Sequence, residues 1–107
     1  MQHITARELY KLLQQADNPP PCMLDVRELW ERSTCAIEPS VHMPMRQIDP
    51  AYRSLNPEEP TVVICHHGVR SRAVASFLEH QGFRNVINLT GGIDAWAREA
   101  DPKMPVY

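Results

Sequence analysis

Thr61-Val62-Val63-Ile64-Cys65-His66-His67-Gly68-Val69-Arg70-Ser71, with the second apolar run Val86-Ile87-Asn88-Leu89 behind it, decides the fold. Thr61 to Ile64 is β-branched throughout, the composition of a strand covered on both faces. Cys65 to Arg70 reads as a loop. From Ser71 a helical pattern carries Val74, Phe77, Leu78 and Gln81, with Gly82 placed to end it. Val86 to Leu89 is a second buried strand. Strand, loop, helix and strand together approach the ~30 residues of a βαβ unit, so the two strands are predicted to run parallel.

The same alternation extends outward in both directions. Downstream, Gly91-Gly92 turns the chain into a last helix carrying Ile93, Trp96 and Ala97, closed by Asp101-Pro102. Upstream, Val41-His42-Met43 precedes Pro44 and is pushed towards extended geometry, a short strand. Arg27 to Thr34 reads as a short helix and turn, and Cys22-Met23-Leu24-Asp25-Val26 as a buried strand. Thr5 and Glu8 form a capping box for a first helix with Leu9, Leu12, Leu13 and Ala16 at helical spacing. Asp17-Asn18 and Pro19-Pro20-Pro21 stop that helix. Helices alternating with apolar strands predict an α/β fold: a three-layer α/β/α domain with a mostly parallel sheet.

Length and charge narrow the function. The 107 residues fit one domain over 1–107 and leave no room for two ordinary ones. Eleven Lys and Arg stand against thirteen Asp and Glu, a formal charge of -2. That balance argues against a nucleic-acid partner, which needs basic excess to displace counterions. It leaves room for a local anion site, since net charge does not describe a pocket. No run approaches the ~20 apolar residues of a membrane span, so no membrane partner is expected. The start, Met1-Gln2-His3-Ile4-Thr5, lacks a secretory pattern. Cys22, Cys35 and Cys65 are odd in number and contain no Cys-x-x-Cys pair, which predicts free thiols in a reduced, cytoplasmic compartment.

Cys65 is the candidate nucleophile. In open α/β sheets ligands bind beyond the carboxyl ends of the strands, and Cys65 ends a strand just before a helix. Gly68 permits a turn in which several N–H groups point into one concavity. With the helix start, such a nest favours a thiolate and any anion beside it. Arg70 adds a planar donor fork, and Ser71 is a natural helix cap. A free cysteine after a strand is ordinarily a small buried hydrophobe; the glycine, arginine and helix start reverse that reading here. The expectation is therefore a solvent-reachable, ionised sulfur. Cys65, His66 and His67 are adjacent and cannot easily converge on one ion, so no metal is expected. His66 and His67 act either through imidazoles or only through their backbone.

These residues carry a resemblance. The chain resembles the single-domain rhodanese-like sulfurtransferases along nearly its whole length. The family's loop Cys-x-x-Gly-x-Arg-Ser is matched by Cys65, Gly68, Arg70 and Ser71. Leu24-Asp25-Val26-Arg27-Glu28 matches a second family motif, Ser40-Val41-His42-Met43-Pro44 a third, and Gly91-Gly92-Ile93-Asp94-Ala95-Trp96 a fourth. Where the family usually has glycines before its proline motif, this chain has Cys35 and Pro39, so that turn differs. The resemblance implies a five-stranded sheet flanked by helices and a persulfide carried on Cys65. It implies no metal or organic cofactor.

On this reading Cys65 attacks the outer sulfur of a small anionic donor such as thiosulfate, or of a persulfide on a protein donor. His66, His67, Gly68, Val69, Arg70 and Ser71 form the substrate-binding loop, and a thiol or cyanide accepts the sulfur. Two half-reactions of this kind are covalent catalysis. Asp25 and Arg27 support the loop by hydrogen bonds or a salt bridge, as buried carboxylates are usually paired. Two alternatives stand beside it. Cell-cycle phosphatases share the fold, but their loop has five residues between cysteine and arginine; His66, His67, Gly68 and Val69 make four, tight for a tetrahedral phosphate or arsenate. A non-catalytic binding module is the other. Trp30 and Trp96 are expected to pack in or near the core, Cys22 to be inert, Cys35 to lie in an irregular stretch, and His42 to be a packed strand-end residue.

Overall fold

A computed structural model describes residues 1–15 and 17–107; Ala16, the last apolar position read for the first helix, lies outside the described residues. The chain runs β1 (Gln2–Ile4), α1 (Ala6–Leu13), β2 (Cys22–Asp25), α2 (Leu29–Thr34), β3 (Val41–His42), α3 (Ile48–Ala51), β4 (Thr61–Ile64), α4 (Val69–His80), β5 (Val86–Leu89) and α5 (Gly92–Glu99). Single 3-10 turns at Met45–Gln47 and Tyr52–Ser54 flank α3. The five strands form one sheet in the order β1-β5-β4-β2-β3, and every pairing is parallel. The expected architecture is observed.

Strand periodicity sorts β4 into two layers. Val62 and Ile64 pack with Ala6 and Leu9 of α1 and Ile93 and Trp96 of α5. Val63 and Cys65 point the other way, towards Ile48 of α3 and Val74, Ala75 and Leu78 of α4. All four residues of β4 and all four of β5 are buried. The β-branched run of β4 and the run of β5, apolar but for Asn88, are thus the signature of strands covered on both faces.

Helix boundaries follow local chemistry. The Thr5 hydroxyl accepts from the Glu8 amide at 3.1 Å and Glu8 Oε1 accepts from the Thr5 amide at 2.8 Å, the reciprocal box expected for α1. At the end of α4, Gly82 adopts φ 94°. The Phe83 amide then reaches the Leu78 carbonyl at 3.1 Å and the Gly82 amide reaches that of Glu79 at 3.0 Å. Those two bonds are a Schellman closure, and Phe83 packs with Leu78 in the core.

Several expectations need correction. The helix expected from Ser71 begins at Val69, and its cap is Gly68, not Ser71. Its buried stripe is Ser71, Val74, Ala75 and Leu78; Gln81 is exposed beyond the last turn. Trp96 is buried but Trp30 is 63% exposed, its ring meeting only the edge of Tyr107. β1 has no signal in the sequence, because Gln2-His3-Ile4 is an edge strand with no apolar alternation. Among the described residues no helix is long and apolar enough to cross a membrane.

Candidate active site

The sheet order places the site. From β2 the chain moves outward to β3; from β4 it moves the opposite way to β5. The segments leaving these neighbouring strands therefore diverge, the switch point at which open α/β sheets bind ligands. Arg27 leaves from β2 and Cys65 from β4.

The cysteine loop is locked by glycine at both ends. Gly68 has φ 98°, and a Cβ there would stand 3.2 Å from the Gly91 nitrogen and 3.3 Å from the Leu89 oxygen. At Gly92 (φ 60°) a Cβ would lie 2.5 Å from the Cys65 oxygen and closer still to that of His66. This close approach lets the Ile93 and Asp94 amides donate to the Cys65 and His66 carbonyls at 2.8 and 3.0 Å. The first turn of α5 thereby holds the loop rather than an anion.

Within that frame the Gly68 amide donates to Cys65 Sγ at 3.0 Å. The thiol lies 3.3 Å from Ser71 Oγ, and the Ser71 hydroxyl donates to Asn88 Oδ1. Asn88 Nδ2 in turn lies 3.3 Å from Nδ1 of His3 on β1. Sγ therefore accepts from one amide and donates to one hydroxyl, where the loop reading expected several N–H groups pointing into one concavity. It is not solvent-reachable, however: Cys65 is only 1% exposed, sealed against the α3–α4 layer. The expected open thiolate is corrected to a thiol enclosed by its own loop.

Arg70 also departs from expectation. Its fork is not open to a donor but grips Glu31 of α2, Nη1 to Oε1 at 2.6 Å and Nη2 to Oε2 at 2.7 Å. The Glu31 carboxyl is drawn down to about 2, first by Arg70, then by the Glu28 amide and the Tyr107 hydroxyl, against the effect of burial. Asp25 and Arg27 form a fully buried pair, 2.7 Å between Oδ2 and Nη2. Arg27 braces α2 rather than the cysteine loop, donating to the carbonyls of Glu31 at 3.2 Å and Cys35 at 2.7 Å. Support thus reaches the loop in two steps, Arg27 to α2 and Glu31 to Arg70.

Tyr107 closes this network: its hydroxyl donates to Glu31 Oε2 at 2.9 Å and accepts from Arg27 Nη1 at 3.0 Å. Its ring stacks on His66, centroids 3.9 Å apart at 5°, and His67 lies on the other side at 3.8 Å. Burial, then the charge of His67, lowers the His66 pKa. Val69 is exposed at the start of α4, and His42 Nε2 bonds the Arg27 carbonyl at 2.7 Å, a packed role. Burial, then the charge of Glu59, raises the Cys22 pKa, consistent with an inert thiol. Cys35 is half-buried beside Arg27.

Glu31, Asn88 and Tyr107 were missed. Asn88 carried a signal, an amide within an otherwise apolar buried strand. Glu31 offered only its spacing three residues after Glu28, and Tyr107 offered none, because it meets the site only in three dimensions.

A wholly parallel sheet whose switch-point loop encloses one cysteine in front of a helix defines an α/β domain of the class that the sequence resemblance implies. A family model described as a rhodanese-like domain matches residues 5–99, and the chain belongs to that family. It is 29% identical over 104 residues to the thiosulfate sulfurtransferase GlpE of Haemophilus influenzae, covering 97% of this chain and 95% of that protein. It is 42% identical over 89 residues to the chloroplastic rhodanese-like/PpiC domain-containing protein 12 of Arabidopsis thaliana, covering 79% of this chain and 30% of that one. The crystal structure of a rhodanese-like domain protein from Staphylococcus aureus superposes with a TM-score of 0.85 at 31% identity, covering 100% and 99% of the two chains. The chain spans about a third or less of the first curated relatives it matches.

Proposed function

We propose that the chain is a sulfurtransferase of the thiosulfate type working through a persulfide on Cys65. In the first half-reaction the Cys65 thiolate attacks the outer sulfur of thiosulfate. A new S–S bond forms, the bond to the sulfite sulfur breaks, and sulfite leaves with the electron pair. In the second, an acceptor thiolate or cyanide attacks the outer sulfur of the persulfide, and the Cys65 thiolate departs as leaving group. Covalent catalysis of this kind divides one transfer into two steps. A protein persulfide fits the donor role by the same chemistry.

One observation carries the reading: the amide of Gly68 stands 3.0 Å from Sγ at the switch point, where it stabilises a sulfur anion in either half-reaction. Enclosure of Cys65 requires the loop to part before a donor reaches it. That same enclosure, with Arg70 already occupied by Glu31, favours a second reading, a rhodanese-like docking module that does not turn over.

Intact-mass spectrometry after thiosulfate treatment separates the two. The native chain is expected to gain one sulfur atom, Cys65→Ser none, and cyanide is expected to remove the gain. An unmodified native chain supports the docking module, and sulfur on Cys22 or Cys35 overturns the assignment of Cys65.

A further inference from the structure

Three side chains outside the Cys65–Ser71–Asn88 cradle converge at the loop's outer side. One nitrogen from each of His66 and His67 and one carboxylate oxygen of Asp94 lie within 4.8 Å of one another. The convergence is built by the backbone. Gly92 brings the start of α5 against the loop, and the Asp94 amide bonds the His66 carbonyl at 3.0 Å, so Asp94 is held beside both imidazoles. The two histidines are adjacent in sequence, yet their ring centroids lie 3.8 Å apart with the planes tilted by 34°. Tyr107 holds His66 from the far side by stacking.

A second observation points to a ligand. Among the described residues His66 Nε2 is a buried side-chain nitrogen with no hydrogen-bond partner. Buried polar atoms are ordinarily satisfied, and an ion or a bound water is the usual explanation of an exception. Two imidazoles with a carboxylate are a borderline donor set, suited to zinc and its neighbours and poor for calcium or magnesium, which take oxygen ligands. Donors about 2.0–2.2 Å from a tetrahedral ion are separated by roughly 3.3–3.6 Å, so binding requires the three side chains to close from their present spacing. Asp94 Oδ2 also accepts from Arg98 Nε at 3.1 Å, which leaves further lone pairs on the carboxylate. Three protein ligands leave a coordination position for water or an anion.

We propose that His66, His67 and Asp94 form a binding site for one divalent transition ion of the zinc class, separate from the sulfur of Cys65. This departs from the expectation of no metal, which was argued on Cys65, His66 and His67 and implied by the resemblance for the whole chain; the site here replaces the thiol, which faces Gly68 and Ser71, with Asp94 from another element.

The test titrates the untagged chain with zinc chloride by calorimetry. Native chain and Cys65→Ser are expected to bind one equivalent with equal affinity, and Asp94→Asn and His67→Ala each to bind at least tenfold more weakly. Proton NMR gives a readout independent of the variants: zinc is expected to shift the imidazole resonances of His66 and His67 and leave those of His3, His42 and His80 in place. Absence of stoichiometric binding overturns the proposal. So does loss of binding in Cys65→Ser, undiminished binding in either ligand variant, or shifts at the other three histidines instead. Since Cys65→Ser cannot carry a persulfide, its zinc binding is read apart from sulfur transfer.

Discussion

At the scale of single residues, the site turns on how a buried sulfur is satisfied. Ser71 is fully buried and stands between Cys65 Sγ and Asn88 Oδ1, itself 2% exposed. Ser71→Ala leaves the Asn88 oxygen without its donor, and an unsatisfied buried polar group costs about 1–3 kcal/mol. Asn88→Ala exposes the same fault from the other side. Each substitution is expected to destabilise the chain by roughly that amount in urea unfolding, and the double variant by clearly less than the sum, because both remove one shared bond. Additive losses would show that the two side chains are not coupled. Ser71 was legible in the sequence as part of the loop motif, but its role was not. A serine three residues after a left-handed glycine reads as a cap, whereas here the glycine has already started the helix and turned the hydroxyl inward.

At the scale of elements, glycine does two different jobs. Gly92 meets backbone on two sides, since its absent Cβ would press on the Cys65 and His66 carbonyls. Those carbonyls accept from the Ile93 and Asp94 amides, so moving aside for a side chain costs them these bonds. Gly82, at the end of α4, has φ 94° but nothing within 4 Å of a Cβ. A left-handed conformation costs a residue with a side chain about 1–2 kcal/mol. Gly82→Ala is therefore expected to lose about that much in urea unfolding. Gly92→Ala is expected to lose more, and its loss is expected to extend to sulfur loading, because the loop moves with it. Equal losses at the two positions would mean that the close approach does not matter. The sequence announced the helix stop at Gly82 and the turn at Gly91-Gly92 through glycine alone. It could not announce that Gly92 touches Cys65, since that contact joins residues from two strands' ends. For the same reason α1, α4, α5, β4 and β5, whose patterns are local and strong, were legible, while β1 was not, its three residues being fixed by pairing with β5.

Across the whole molecule, one charged network ties Tyr107 to β2, α2 and α4. Asp25 ends β2 and Arg27 follows it, Glu31 and Cys35 belong to α2 and its end, Arg70 opens α4, and Tyr107 comes from the far end of the chain. Glu31 is its hub, 2% exposed, with Arg70 on both carboxylate oxygens. The carboxyl titrates near 4.5 when unfolded and at about 2 when folded. A group depressed in this way stabilises the fold at every pH above its unfolded value, and the contribution is lost as acid protonates it between about 4.5 and 2. A difference of that size is worth on the order of 3 kcal/mol. The native chain is accordingly expected to lose stability across this window in urea titrations at successive pH values. Glu31→Gln, which cannot ionise, is expected to be less stable at neutral pH and to decline less steeply over the same interval. Parallel acid slopes for the two chains would remove Glu31 as the hub, and with it the account of how α2 holds Arg70 beside the cysteine loop.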